Sequence, residues 1–196
     1  MNDASKGLVY AHRITGDHPK TQLTWDDVNT WKPDQGVLWV HLDADNETAL
    51  DWVKQQNDLS PLIREALLEV GTRPRNVVSE TGVLVIFRGV NCNPGADPED
   101  MVAIRMFITD KRIITMRRNR VRAVQDVHET LMDGSGPTTV GAIFVAVVDR
   151  ITERIGDVVV DIEDRVAEIE DTIVSAETTE LRPRLAELRR ESISLR

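Results

Sequence analysis

RPRNVVSETGVLVIFRGVNCNPGADPEDMVAIRMFITDKRIITMRR, residues 73–118, carries four runs that read as strands. They are Arg75–Ser79, Gly82–Val90, Met101–Ile108 and Arg112–Arg117, rich in Val, Ile, Phe and Met and bounded by turn-forming residues. Glu80-Thr81-Gly82 predicts a hairpin between the first two, and Asp110-Lys111 a turn into the last. In the third run Val102, Ile104 and Met106 alternate with Ala103, Arg105 and Phe107, so successive side chains serve opposite faces of a sheet.

Upstream, Gly7–Ile14 and Val37–Leu42 read as two more strands. The second, VLWVHL, is apolar at nearly every position, as a strand buried on both faces is. A helix is expected over 45–56, with Asp45 as N-cap and Ala49, Leu50 and Val53 on one face. Ser60-Pro61 opens a second helix, its stripe made by Leu62, Ile63, Ala66, Leu67 and Val70, and Gly71 ends it. Strands separated by helices, with hairpins among them, predict an α/β (α+β) fold: a mixed sheet flanked by helices.

Downstream the character changes. Val121–Met132 reads as a helix, and Asp133-Gly134-Ser135-Gly136-Pro137 breaks it. From 138 to 176 apolar residues recur at Val140, Phe144, Val147, Ile151, Ile155, Val158, Ile162, Val166, Ile169 and Ile173, a sustained helical period. Gly156 is the expected place for a bend. Another helix starts near Thr178 or Thr179, with Leu181, Leu185, Leu188 and Leu195 as its stripe. The expected organisation is a domain over 1–136, a long acidic helical arm over 137–177, and the start of a further helix over 178–196. No stop signal precedes Arg196, so the last helix is expected to continue.

Of 196 residues 41% are hydrophobic and 29% charged, enough for a core. The net charge of -9 argues against a nucleic-acid partner, whose affinity comes from neutralising phosphates. A single cysteine excludes a disulfide framework, and a packed thiol is the expectation for Cys92. No Ser/His/Asp arrangement or paired-carboxylate site stands out, so no enzyme is expected.

Two groups of side chains carry chemistry. Asp149, Glu153, Asp157, Asp161, Asp164, Glu168 and Asp171 share one face of the long helix, opposite the apolar one. Like charges at this spacing repel and cost helix stability. The face is either a solvated surface or a means of concentrating divalent cations, with Asp157, Asp161, Asp164, Glu168 and Asp171 as candidate metal residues. His12 and His41 form the second group, able to converge on a metal if their strands pair; ordinary packing is the alternative. The basic run Arg117, Arg118, Arg120 and Arg122 is read as neutralising nearby acids.

RGVNCNPGADPEDMV (88–102) with RIITMRR (112–118) closely resembles the zinc-transporting branch of the CorA metal-ion transporter family. LVYAHRI (8–14), VLWVHLD (37–43) and RPRLAELRRESISLR (182–196) are similar to that branch as well. The resemblance implies a cytoplasmic domain of α/β/α build, on the cytoplasmic face of a bacterial inner membrane, followed by long helices leading to a stalk. It implies a homopentamer that forms and regulates a cytoplasmic funnel, and membrane helices, with a Gly-Met-Asn signature, beyond Arg196. Divalent cations are the implied partners, Zn²⁺ the bound or transported ion, and no cofactor is expected. A Mg²⁺/Co²⁺ transporter of the same family and a stand-alone helical interaction module are the alternatives.

Overall fold

The computed structural model describes residues 6–16, 18–71, 73–97, 100–174 and 181–194; of residues 18–21, 172–174, 181–182 and 194 it describes the backbone alone. Seven strands form one mixed sheet: β1 (Leu8–Thr15), β2 (His18–Gln22), β3 (Val37–Asp43), β4 (Arg75–Val78), β5 (Val83–Gly89), β6 (Val102–Ile108) and β7 (Arg112–Arg117). Their order is β2-β1-β3-β7-β6-β5-β4. Only β3 and β7 run parallel, in a register that sets Val40 beside Ile114 and His41 beside Thr115. The other neighbours are antiparallel. The two expected turns close as read, with Ser79 N–H donating to Gly82 O at 2.8 Å and Thr109 N–H to Arg112 O at 2.8 Å.

Helices cover both faces. Six are described: α1 (Trp25–Thr30), α2 (Glu47–Gln55), α3 (Pro61–Leu68), α4 (Arg122–Met132), α5 (Val140–Val174) and α6 (Leu181–Ser194). On one face α1 to α3 bring Val28, Ala49, Trp52, Val53, Ile63 and Leu67 against Leu38, Val40 and Leu42 of β3. On the other, α4 and the first half of α5 bring Val124, Val127, Leu131, Ile143 and Val147 against Trp39, Ile104 and Met106. Each fully buried aliphatic side chain contributes ~1.5–3 kcal/mol. The central strand β3 is therefore buried on both faces, as its apolar run requires.

Several local expectations change. The N-cap of α2 is Asn46, not Asp45: the Asn46 Oδ1 accepts from Thr48 N–H at 3.0 Å, whereas Asp43 Oδ1 accepts from Asp45 N–H and holds Asp45 in the preceding turn. Ser60 caps α3 as expected, with Ile63 N–H donating to its Oγ. Leu62 and Val70 fall outside the buried stripe of α3, which narrows to Ile63, Ala66 and Leu67 because one sheet face touches only one side of the helix. Strand β2 and helix α1 are additions. Gly36, just before β3, has φ +109, and a Cβ there would lie 2.5 Å from Ile14 O, so only glycine lets β1 and the start of β3 approach. Cys92 is exposed rather than packed.

Helix α5 runs 35 residues, ~52 Å at ~1.5 Å per residue, and continues through Gly156 without interruption. Its first half shares the core of the sheet domain through Val140, Ile143, Val147 and Ile151. Its second half has a separate, thin contact, Ile169 against Leu188 of α6 with Ile162 beside them. The regular apolar period thus meets two environments: Val140 and Ile151 are buried, while Val166 stays 39% exposed. The caps expected at Thr178 or Thr179 lie outside the described residues.

Candidate functional site

The acidic face forms as the spacing predicts. Asp149, Glu153, Asp157, Asp161, Asp164, Glu168 and Asp171 are all exposed along α5. Arginines counter part of it: Arg150 reaches Glu153 at 2.7 Å, Arg165 reaches Asp161 at 3.7 Å, and Arg184 of α6 reaches Glu168 at 3.1 Å. Arg165 also pairs with Glu191 of α6, which pushes its pKa up and ties the two helices together. Among the described residues no group of three or more His, Cys, Asp or Glu is arranged to hold a metal ion.

His12 and His41 do come near each other, on paired strands, but inside the core. Strand β1 aligns antiparallel to β3 with Tyr10 opposite His41 and His12 opposite Trp39. All four side chains lie on the face covered by α4, which adds His128 from above. Tyr10 is the hub: its ring lies 4.0 Å from that of His128, 4.7 Å from His41 and 5.4 Å from His12, and meets Trp39 edge-on at 5.2 Å. His12 and His128 are 5.0 Å apart, centroid to centroid.

The polar atoms of this cluster are unequally served. Thr115 Oγ1 contacts Trp39 Nε1 at 3.0 Å, His41 Nδ1 at 2.8 Å and Val40 O at 3.2 Å. One hydroxyl satisfies all three by donating to Val40 O and accepting from Trp39 Nε1–H and His41 Nδ1–H, which assigns the His41 tautomer. By contrast Tyr10 Oη, both ring nitrogens of His12 and His128 Nδ1 are buried with no hydrogen-bond partner.

Burial dominates the electrostatics. Burial, and after it the neighbouring His128, lower the His12 pKa to about 4. Burial likewise pushes His41 well down, helped by Arg117 and His128. His128 is lowered by burial against the pull of Glu129, and Tyr10 is raised by burial against Arg117. At neutral pH the cluster is thus uncharged. Stacked rings with orphaned nitrogens make a packed core, and among the described residues no third His, Cys, Asp or Glu joins His12 and His41 in a group arranged to hold a metal ion. Sequence reasoning missed His128 and Tyr10. His128 follows Val124 by four residues on the buried side of α4, and that spacing was the available signal.

Two arginines of the basic run meet acids as read. Arg118 pairs with Asp45, and Arg117 is held half-buried with Asp43 supporting its charge. Two further arginines are buried without having been singled out. Arg112 pairs with Asp58 and donates to Gln56 Oε1 at 3.3 Å, and Arg105 donates to Glu69 O at 2.6 Å.

The model of CorA-like Mg²⁺ transporter proteins matches residues 34–196. The chain is 32% identical over 159 residues to the zinc transport protein ZntB of Pectobacterium carotovorum subsp. carotovorum, covering 81% of this chain and 47% of the relative. It is 33% identical over 162 residues to the divalent cation transporter CmaX of Pseudomonas aeruginosa, covering 81% of this chain and 48% of the relative. The chain spans about half the length of these curated relatives. The structure of a full-length CmaX protein superposes with a TM-score of 0.88 at 31% identity, over 97% of this chain and 59% of that one. The ZntB cytoplasmic domain from Vibrio parahaemolyticus superposes with a TM-score of 0.81 at 21% identity, over 97% of this chain and 73% of that one, a likeness of fold. Among the described residues no helix is long and apolar enough to cross a membrane.

Proposed function

The chain belongs to the family of CorA-like Mg²⁺ transporter proteins, and from that premise we propose that it forms the cytoplasmic part of a divalent-cation transporter of the bacterial inner membrane, with Zn²⁺ as its cargo. The observation that carries the reading is the likeness to relatives named as a zinc transport protein and a divalent cation transporter, over 81% of this chain in each case. The part played here is that of a regulated mouth rather than of a catalyst. In a homopentamer the acidic face of α5 is repeated five times around the axis, and its carboxylates raise the local concentration of divalent cations. Asp157, Asp161, Asp164, Glu168 and Asp171 are the residues assigned to this role. Their exposure supports weak, exchangeable attraction, ~1 kcal/mol per charge pair at 4 Å in water, which suits an ion that must move on. Hard oxygen ligands would also serve Mg²⁺, so the choice of Zn²⁺ rests on the relatives' names and not on a ligand set.

Thermal unfolding with Zn²⁺, Mg²⁺ or K⁺ at matched ionic strength tests the surface. Zn²⁺ and Mg²⁺ should shift the midpoint well beyond K⁺, and the triple change Asp157→Lys, Asp161→Lys, Asp164→Lys should abolish the shift. A shift that survives the triple change makes the face a solvated surface. Uptake of Zn²⁺ by vesicles carrying the full-length protein tests the cargo; uptake of Mg²⁺ or Co²⁺ in its place would overturn that choice. A partner-helix module with no response to any cation is the outcome that would overturn the whole reading.

A further inference from the structure

We infer that the buried histidine cluster is a proton-sensitive latch, holding α4 and the anchored half of α5 on the sheet while its imidazoles are neutral and releasing them when they take up protons. The inference does not depend on which ion the family member carries. His12 is 1% exposed and His41 3%, yet His12 has no partner for either nitrogen, and Tyr10 Oη and His128 Nδ1 are orphaned beside it. A buried polar group without a partner costs ~1–3 kcal/mol, and a buried unpaired charge costs more. The arrangement therefore tolerates neutral rings and penalises imidazolium.

The surrounding charges reinforce this. Strand β1 contributes Tyr10 and His12, β3 contributes His41, and β7 contributes Thr115 and Arg117. Arg117 is positive and acts against protonation of His41. Helix α4 contributes His128, with Glu129 as the one acid acting on it, and its Asp126 is already paired with Arg154 of α5. Helix α5 adds Val140, Ile143 and Val147 to the same core. Among the described residues no carboxylate offsets the cost of charging His12 or His41. His128 is only partly buried and sits on the helix that covers the cluster, so lifting α4 is the route by which protons reach His12.

The sign follows from linkage. A histidine whose folded pKa lies below its unfolded value costs nothing above pH 6.5. As pH falls from 6.5 towards the folded value, the opened form binds more protons and opening is favoured. For His12, folded about 4 and open 6.5, opening at pH 5 rises ~30-fold. His41 and His128 are shifted in the same direction and add to it.

Amide hydrogen exchange on the whole chain, at pH 7.5 and 5.0 and corrected for intrinsic exchange, reads this opening directly. The opening constant for α4 should rise at least ~30-fold, with β5 and β6 rising less. An α4 that changes no more than β6 overturns the latch. In the double variant His12→Phe, His128→Gln the rise should fall by ~30-fold or more, leaving only the part that His41 adds; an undiminished rise also overturns it. Imidazole proton titration of the wild-type chain by NMR decides the matter if the variant does not fold. A His12 midpoint below about 5 supports the latch, and any higher midpoint overturns it.

Discussion

Replacing Thr115 by Val tests the physics of the core most sharply. The change keeps shape and β-branching and removes one hydroxyl, whose oxygen is the shared partner of Trp39 Nε1, His41 Nδ1 and Val40 O. Thr115 and Trp39 are 0% exposed and His41 is 3% exposed, so no solvent replaces what is lost. Val40 O loses only one of its donors. Trp39 Nε1–H and His41 Nδ1 are each left buried and unpaired, at ~1–3 kcal/mol apiece. The new methyl group returns roughly 1 kcal/mol by the usual transfer value. The expected net loss is ~1–5 kcal/mol, a large share of the ~5–15 kcal/mol that holds a typical domain together. Urea unfolding followed by tryptophan emission measures it, with the m-value unchanged and the midpoint lowered. Thr115→Ser should retain the three contacts and lose only a methyl group's worth of packing. If Thr115→Val is as stable as wild type, the hydroxyl is not the hub of that network.

Three more outcomes are expected. Gly36→Ala should destabilise by more than ~1 kcal/mol, since φ +109 and a Cβ 2.5 Å from Ile14 O admit no side chain, whereas Gly16→Asn, at φ +66 in open space, should be nearly neutral in the same urea titration. Asp58→Ala should cost ~1–2 kcal/mol by leaving the buried Arg112 with Gln56 alone, less than a fully buried pair because the Asp58 side chain is 52% exposed; chemical denaturation checks it. Leu188→Asp should release α6 from α5, seen as lost amide protection in α6 with the main unfolding midpoint unchanged, because among the described residues Leu188 packs in a small cluster with Ile169 and Ile162, apart from the cores of the sheet.

The strands over 75–117 were legible because each face of the sheet is buried and the alternation of Val102 to Phe107 records both faces. β2 was not, since His18–Gln22 has no apolar run and sits at the sheet edge, with Pro19 inside it. α1 escaped notice because six residues, Trp25–Thr30, are too few to show a helical period; its signal was the Thr24–Asp27 capping box. The acidic face was readable from spacing alone, being a property of one helix. The histidine cluster was only half readable. His12 and His41 meet through a register between strands more than 20 residues apart, and His128 arrives from a helix whose choice of sheet face no local pattern announces.

Helix α5 runs without a break from the sheet domain to its contact with α6. Its first half belongs to the same core as Tyr10, Trp39 and α4, and among the described residues its second half leaves that core and packs on α6. From Ile151, the last of its residues buried against the sheet, to Val174 is 23 residues, ~35 Å at ~1.5 Å per residue. A roughly 5° tilt at the sheet therefore moves the far end by about 3 Å, the scale on which packed helices shear past one another. The acidic face lies along this lever, from Asp149 outward, so any change in how α4 and α5 sit on the sheet repositions the carboxylates. If the latch and the cation-attracting face act as proposed, proton uptake in the cluster and cation binding on the face bias the same element. Linkage then requires each to alter the other: if cations favour the seated arm, they must also oppose protonation of the histidines, and acid must weaken their binding beyond the loss from titrating carboxylates themselves. Cation titrations at pH 7.5 and 5.5 on the wild-type chain and on His12→Phe, His128→Gln measure that coupling. A pH effect of equal size in both proteins would place the histidine cluster and the acidic face on separate, uncoupled elements.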